Sequence, residues 1–198
     1  MELFLSQFVR SPRTIGAVLP SSPALARAMV APIDFATARM IVEFGPGTGA
    51  FTRTIAQRLR PQCRYLGIEL NEAFCRVLAA EFPALTFAHG SVGNLIEILA
   101  SHGVTEIDAI VCGLPWASLP LALQETAFSA IERSLAPGGL FTTFAYLHGL
   151  VLPGAMALRR RLRRSFREVS RSPVAWANIP PAFAYICREV ARPRSSVA

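Results

Sequence analysis

The stretch Val42-Glu43-Phe44-Gly45-Pro46-Gly47-Thr48-Gly49 decides the fold. It closes a short apolar run, Met40 to Phe44, and opens a helical stretch, Ala50 to Leu59. Glycines here permit a sharp strand-to-helix turn and let backbone approach a ligand without Cβ interference. The spacing is GxGxG behind an acid, not the GxGxxG of a dinucleotide turn, which presents a bare helix N-terminus to phosphate. Glu43, two places before Gly45, would repel phosphate and suits a cation such as an ammonium or a sulfonium. Glu69 ends the next expected strand, 24 residues after Gly45. A carboxylate there accepts both ribose hydroxyls of a nucleoside. Together these features predict a nucleoside-cofactor site.

Outward from this turn, short apolar strands alternate with helices. Strands are expected at Met40–Phe44, Tyr65–Leu70, Leu85–Ala88, Ile107–Cys112 and Leu140–Leu147. Helices are expected at Ala50–Leu59, Glu72–Phe82, Val92–His102 and Leu121–Leu135, the last ended by Pro137-Gly138-Gly139. A helix over Arg159–Arg164 follows, then strands Phe166–Val174 and Ala182–Val190, close enough to pair antiparallel at an edge. Before residue 40, Met1–Arg10 reads as a short helix, Ser11–Pro23 as a loop, and Pro23–Val30 as a helix capped by Ser22. The alternation predicts an α/β fold with a mostly parallel sheet covered on both faces.

Composition bounds the rest. The 198 residues fit one domain, and 52% apolar content excludes intrinsic disorder. Four scattered cysteines form no CxxC pair, which argues against a disulfide scaffold or a zinc site and suits a reduced cytoplasmic compartment. No metal site is expected. The uncharged run Ser134–Leu158 is broken by Pro and Gly, so no membrane span is expected, and the N-terminus lacks signal-peptide order. Net charge is +7, with every basic residue an arginine. Residues 1–150 carry 10 Arg and 11 acids, whereas residues 151–198 carry 10 Arg and 2 acids. That asymmetry points to an anionic partner, a nucleic acid or a membrane surface. Arg159, Arg160, Arg163 and Arg164 are the candidate contacts. Leu158, Leu162 and Phe166 add an apolar seam that suits a surface-lying helix.

The motifs EFGPGTG, GIEL, VCGLPW and LAPGGLF resemble those of class I S-adenosylmethionine-dependent methyltransferases over roughly residues 40–147. The resemblance implies a three-layer αβα Rossmann-like sheet of seven strands with an antiparallel edge strand. It implies S-adenosyl-L-methionine as cofactor and S-adenosyl-L-homocysteine as product. By position, Gly45, Gly47, Thr48 and Gly49 would cradle the methionine and ribose, with Glu43 a further cofactor contact. Glu69 would hold the ribose and Leu70 the adenine, while Ser91 and Val92 match the loop that usually presents an acid to the adenine amine.

Gly113-Leu114-Pro115-Trp116 resembles the (N/D)-x-P-(Y/F/W) motif of amino-group methyltransferases, with Gly113, a candidate cofactor contact, where the side-chain acceptor usually stands and only the Gly113 or Leu114 carbonyl to replace it. That loss argues against an adenine acceptor and for an aliphatic amine. Trp116 is the candidate for cation–π contact with an alkylammonium head. Tyr146 and His148, two apart near the end of the fifth strand, are the candidates for moving the amine proton. Over the whole chain, SPRTIGAVLPSSPALARAM, EFGPGTGAFT, GIELN and FREVSRSPVAWANIPPAFAY resemble the bacterial phospholipid N-methyltransferases. That resemblance implies methylation of phosphatidylethanolamine towards phosphatidylcholine, peripherally on the cytoplasmic face of a membrane. Residues 1–38 would cover cofactor and membrane, with Ala17, Val18 and Ser21 at the cofactor and Leu5 and Phe8 at lipid; residues 151–198 would complete the sheet. The rival readings are a ribosomal-RNA adenine dimethyltransferase or small-amine enzyme, and a non-catalytic lipid- or cofactor-binding protein.

Overall fold

The structure is a computed structural model and describes residues 21–191. The first helix, α1 (Pro23–Val30), starts with proline in its first turn, and the Ser22 side chain accepts the Leu25 N–H. Then come β1 (Met40–Phe44), α2 (Ala50–Ala56), β2 (Arg64–Glu69), α3 (Glu72–Glu81), β3 (Thr86–His89) and α4 (Leu95–Ser101). The chain continues through β4 (Ile107–Cys112), α5 (Leu121–Ser134), β5 (Leu135–Tyr146), α6 (Pro153–Ser165), β6 (Phe166–Arg171) and β7 (Ala182–Val190). The seven strands form one sheet in the order β3-β2-β1-β4-β5-β7-β6. β3, β2, β1, β4 and β5 run parallel, and β7 is antiparallel to both β5 and β6.

Strand alternation divides the core into two layers. Met40, Val42 and Phe44 of β1 join Phe128 and Ile131 of α5 and Leu158 and Leu162 of α6 on one face. Ile41 joins Leu25 and Met29 of α1 and Phe51 and Ile55 of α2 on the other. The sheet therefore has helices on both faces, as the apolar, non-alternating composition of its inner strands requires. The carboxyl ends of β1, β2 and β4 converge on the glycine turn.

Three expectations are corrected. Pro137-Gly138-Gly139 does not separate helix from strand; β5 begins at Leu135. Its pairing with β4 jumps from Ile107↔Leu135 to Ala109↔Leu140, so the turn residues form an irregularity within the strand. Val92–His102 divides into a 3-10 turn, Val92–Asn94, and α4, because Ser91 caps at Gly93. α6 begins at Pro153, six residues before the first expected position, because proline there opens a helix and does not end one.

Candidate active site

β1 delivers Glu43 and Phe44 into a turn pinned on both sides. Gly45 N–H donates to Ile68 O of β2 at 2.9 Å, and Gly113 N–H donates to Phe44 O at 2.8 Å. Gly45 has φ +65°, and a Cβ on it would lie 2.6 Å from Leu114 Cδ2. A Cβ on Gly113 would lie 2.9 Å from Gly45 O. The two backbones pass too closely for side chains, so Gly113 serves the turn's shape directly. Gly47 also has positive φ, and Gly49 is the left-handed residue that starts α2. Thr48 is exposed, and its carbonyl accepts from Arg53 Nη1 at 3.0 Å.

Glu69 sits at the end of β2, almost fully buried. Its Oε2 accepts the Gly47 N–H and its Oε1 the Asn71 N–H, each at 2.9 Å. A carboxylate offers about four acceptor sites, so capacity remains for two ribose hydroxyls. Gly90 N–H donates to Glu69 O, and His89 Nε2 lies 3.0 Å from Leu70 O. These contacts hold the Ser91–Val92 loop beside Glu69 and Leu70. Ser91 Oγ accepts the Gly93 N–H at 3.2 Å, so its side chain caps the turn, and Val92 is buried.

Glu43 lies beneath the turn and is 0% exposed. Its Oε2 accepts from Tyr65 Oη at 2.7 Å and from Thr52 Oγ1 at 2.9 Å, while Oε1 has no partner. Burial raises its pKa from the ordinary 4.5 to about 7, against the pull of the Tyr65 and Thr52 hydroxyls. A buried carboxylate with an unused oxygen, a glycine turn and a half-used ribose acceptor together fit a cationic nucleoside such as S-adenosylmethionine.

From the turn, a row of rings leads to the end of β5. Phe51 of α2 stands edge-on to Phe144 (6.3 Å between centroids), Phe144 to Tyr146 (5.4 Å), and Tyr146 lies 5.8 Å from His148. His148 is exposed in a 3-10 turn beyond the strand, so a turn and not strand alternation brings the pair together. Burial raises the Tyr146 hydroxyl above its ordinary pKa of 10, which keeps it a phenol at neutral pH.

Trp116 is corrected. It is 1% exposed, with its ring 4.7 Å from Phe128 and 6.4 Å from Phe141, and α6 packs over its turn. It is a core residue packed among rings, not an exposed ring open to solvent. Gln124 Nε2 fixes this turn by donating to Trp116 O and Leu119 O, each at 2.9 Å. The apolar seam of α6 is corrected likewise: Leu158, Leu162 and Phe166 are buried in the core. Arg164 pairs with Glu125 at 3.1 Å, whereas Arg159, Arg160 and Arg163 are exposed with no acidic partner among the described residues. Arg161 is held inward by Glu125, by Glu132 and by the ring of Phe128. Ser21 opens the described chain half-buried, and Leu5, Phe8, Ala17 and Val18 lie outside the described residues.

Tyr65, Thr52, Asn71 and Gln124 escaped the sequence reading. Period-two alternation puts Tyr65 on the Glu43 side, since Tyr65 pairs with Ile41 two places away on the same face. Asn71 carried an N-cap signal before Glu72.

A methyltransferase-domain family model matches residues 42–141. The chain is 36% identical over 191 residues to an ornithine lipid N-methyltransferase of Singulisphaera acidiphila, covering 95% of both chains. It is 26% identical to a ribosomal RNA small subunit methyltransferase A of Kineococcus radiotolerans, over 64% of this chain and 43% of that protein. Among solved structures, the O-methyltransferase TomG of Streptomyces achromogenes, in complex with S-adenosylmethionine, superposes with a TM-score of 0.66 at 16% identity, over 94% of this chain and 89% of that one.

Proposed function

The chain belongs to the class I S-adenosylmethionine-dependent methyltransferases, and from that premise we propose that it methylates the amine of a lipid headgroup at a membrane surface. The observation that carries this reading is the end-to-end similarity to a protein named for an aminolipid. Gly113 adds to it, because a backbone glycine offers no side-chain acceptor for reading an adenine amine. We take phosphatidylethanolamine, converted towards phosphatidylcholine, as the specific substrate. The four free, buried cysteines suit action from the cytoplasmic side.

The residues divide the work. Glu69 would hold the ribose hydroxyls, the Gly45–Gly49 backbone the methionine part, and the Leu70 and Ser91–Val92 segments the adenine. Glu43 would balance positive charge from below. When bound, the cofactor supplies an electrophilic methyl on a sulfonium. The amine must offer its lone pair, so it has to be neutral. The Tyr146 hydroxyl would accept a hydrogen bond from the amine, and an imidazole nitrogen of His148 would take its proton to solvent. Holding amine and methyl in line, away from water, is worth about 7–11 kcal/mol of the barrier.

The test is transfer of labelled methyl from S-adenosylmethionine to vesicles of phosphatidylethanolamine, to vesicles of ornithine lipid, and to RNA. Labelling of phosphatidylethanolamine is expected; labelling of ornithine lipid alone would replace that substrate within the aminolipid reading, and labelling of RNA alone overturns the reading. Tyr146→Phe and His148→Ala should each lower transfer about a hundredfold, within the usual range for general acid–base groups. Calorimetric S-adenosylmethionine affinity should be unchanged in both. Full activity in both variants removes these residues from the chemistry.

A further inference from the structure

A group of the large exposed apolar side chains lies at one end of the sheet, while Phe74, Val77, Ile96 and Leu121 are exposed on α3, α4 and α5. Val151 and Leu152 lie in the turn after β5, Met156 in the first turn of α6, and Trp176 and Ile179 in the loop between β6 and β7. Trp176 is 70% exposed and Val151 80%. Leu147 N–H donates to Pro181 O at 2.8 Å, and Ala175 bridges to Ala182, so the two segments are stitched together. Tyr146 pairs with Ala182, which puts this rim directly beside Tyr146 and His148. A clustered rim of this kind on a small protein marks an interaction surface.

Charge continues the rim along α6. Met156, Arg159, Arg160 and Arg163 stand at i, i+3, i+4 and i+7, one stripe of the helix. All four are exposed, while Leu158 and Leu162 face the core. Residues 147–181 contain seven arginines and a single acid, Glu168. Arg171, at the end of β6, lies over Phe183 and Tyr185 at 4.9 and 5.4 Å. Guanidinium groups seek phosphate, whether of a lipid or of a nucleic acid. Nucleic acid would leave Val151, Leu152 and Ile179 in water. A bilayer takes both kinds of group, apolar tips in the acyl boundary and arginines among the headgroups.

We infer that Val151, Leu152, Trp176 and Ile179 insert into the headgroup–acyl boundary of an anionic bilayer while Arg159, Arg160 and Arg163 meet its phosphates. The inference deepens the aminolipid reading and rests on it, because the same docking holds Tyr146 and His148 at headgroup depth. No described helix is long and apolar enough to cross a membrane, so attachment through these residues is at the surface. Ser22 N–H donates to the buried Asn178 Oδ1 at 2.8 Å, so residues 1–20 join the described chain at this same loop. That segment is the rival occupant of the rim.

Trp176 reports directly, since the chain has two tryptophans and Trp116 is buried. Full-length protein is titrated with phosphatidylglycerol–phosphatidylcholine vesicles, with and without bromine on the acyl chains. Tryptophan emission should shift to the blue and be quenched by the brominated chains, and Trp176→Phe should remove most of that quenching. A Val151→Ser/Leu152→Ser/Ile179→Ser variant should cosediment about tenfold more weakly, since partition scales with buried apolar area. Its S-adenosylmethionine affinity should match the parent's. Cosedimentation without quenching, unchanged partition of the triple variant, or Trp176 already shielded from iodide in free protein would each overturn the docking surface. So would protection of Trp176 by RNA but not by vesicles. Docking without lipid methylation would overturn the substrate reading alone; lipid methylation by protein whose Trp176 never meets the chains would overturn the docking surface alone.

Discussion

Between β1 and β2 the carboxyl edge of the sheet is closed. Glu43 and Glu69 are buried there, held by Tyr65, Thr52 and backbone N–H groups. Across β5 and β7 the same edge is open: Trp176, Ile179, Val151 and Leu152 stand in solvent, and Arg159, Arg160 and Arg163 beyond them have no acidic partner among the described residues. The difference follows from what each side must meet. A small charged cofactor is recognised by preformed acceptors in a dry site, which preorganises the binding groups. A membrane is recognised by area and charge, which need exposure and no fixed geometry. Trp116 lies between the two sides, and its burial draws the boundary.

The largest effect expected is at that boundary. If Trp116 belongs to the core, Trp116→Ala should destabilise the protein by about 3–5 kcal/mol, as large-to-small core changes do. Chemical denaturation measures this. An unchanged midpoint with a raised KM for the amine would move Trp116 to the open side and erase the boundary.

The boundary was not legible in the sequence, although the glycine turn was. Gly45, Gly47 and Gly49 act through local backbone, and Glu69 through its place at a strand end, so spacing alone locates them. Burial of Trp116 depends on Phe128, Phe141 and α6, which arrive from elsewhere in the chain. The paired state of Arg161 and Arg164 depends on Glu125, 36 and 39 residues away. A run of six residues with five arginines looks uniform in sequence; the fold divides it into inward and outward members. The 3.6-residue period made Leu158 and Leu162 a seam, but period cannot say whether a seam faces lipid or a sheet.

The next effect tests the closed side. The Glu43 carboxyl sits at about 7 in the native protein against an ordinary 4.5. As pH rises from 4.5, the unfolded chain loses its proton first while native Glu43 keeps its own. Stability present at low pH therefore falls through this window and levels off above about 7. The 2.5-unit difference corresponds to about 3 kcal/mol. Urea midpoints of the cofactor-free protein should show the decline, and Glu43→Gln should flatten its share. Because a cation beside Glu43 favours the charged form, S-adenosylmethionine should stabilise the protein more at pH 8 than at pH 6. The opposite order would take Glu43 out of the cofactor site.

The smallest effect separates neighbours on one helix. Arg164 and Glu125 form an exposed pair, each side chain 60% exposed, and such pairs are worth about 0–1 kcal/mol. Arg163 has no acidic partner among the described residues and lies on the outward stripe with Met156. Arg164→Ala should therefore lower stability slightly and vesicle binding little. Arg163→Ala should leave stability alone and weaken binding to anionic vesicles about fivefold, since one arginine near such a surface contributes about 1 kcal/mol. The contrast has a physical basis in competition. Glu125 already holds the Arg164 guanidinium, so lipid phosphate must displace a carboxylate to reach it, whereas at Arg163 phosphate displaces only water. Equal losses of binding at both positions would mean that net charge alone attracts the membrane, and that the ion pairs between α5 and α6 do not select which arginines it meets.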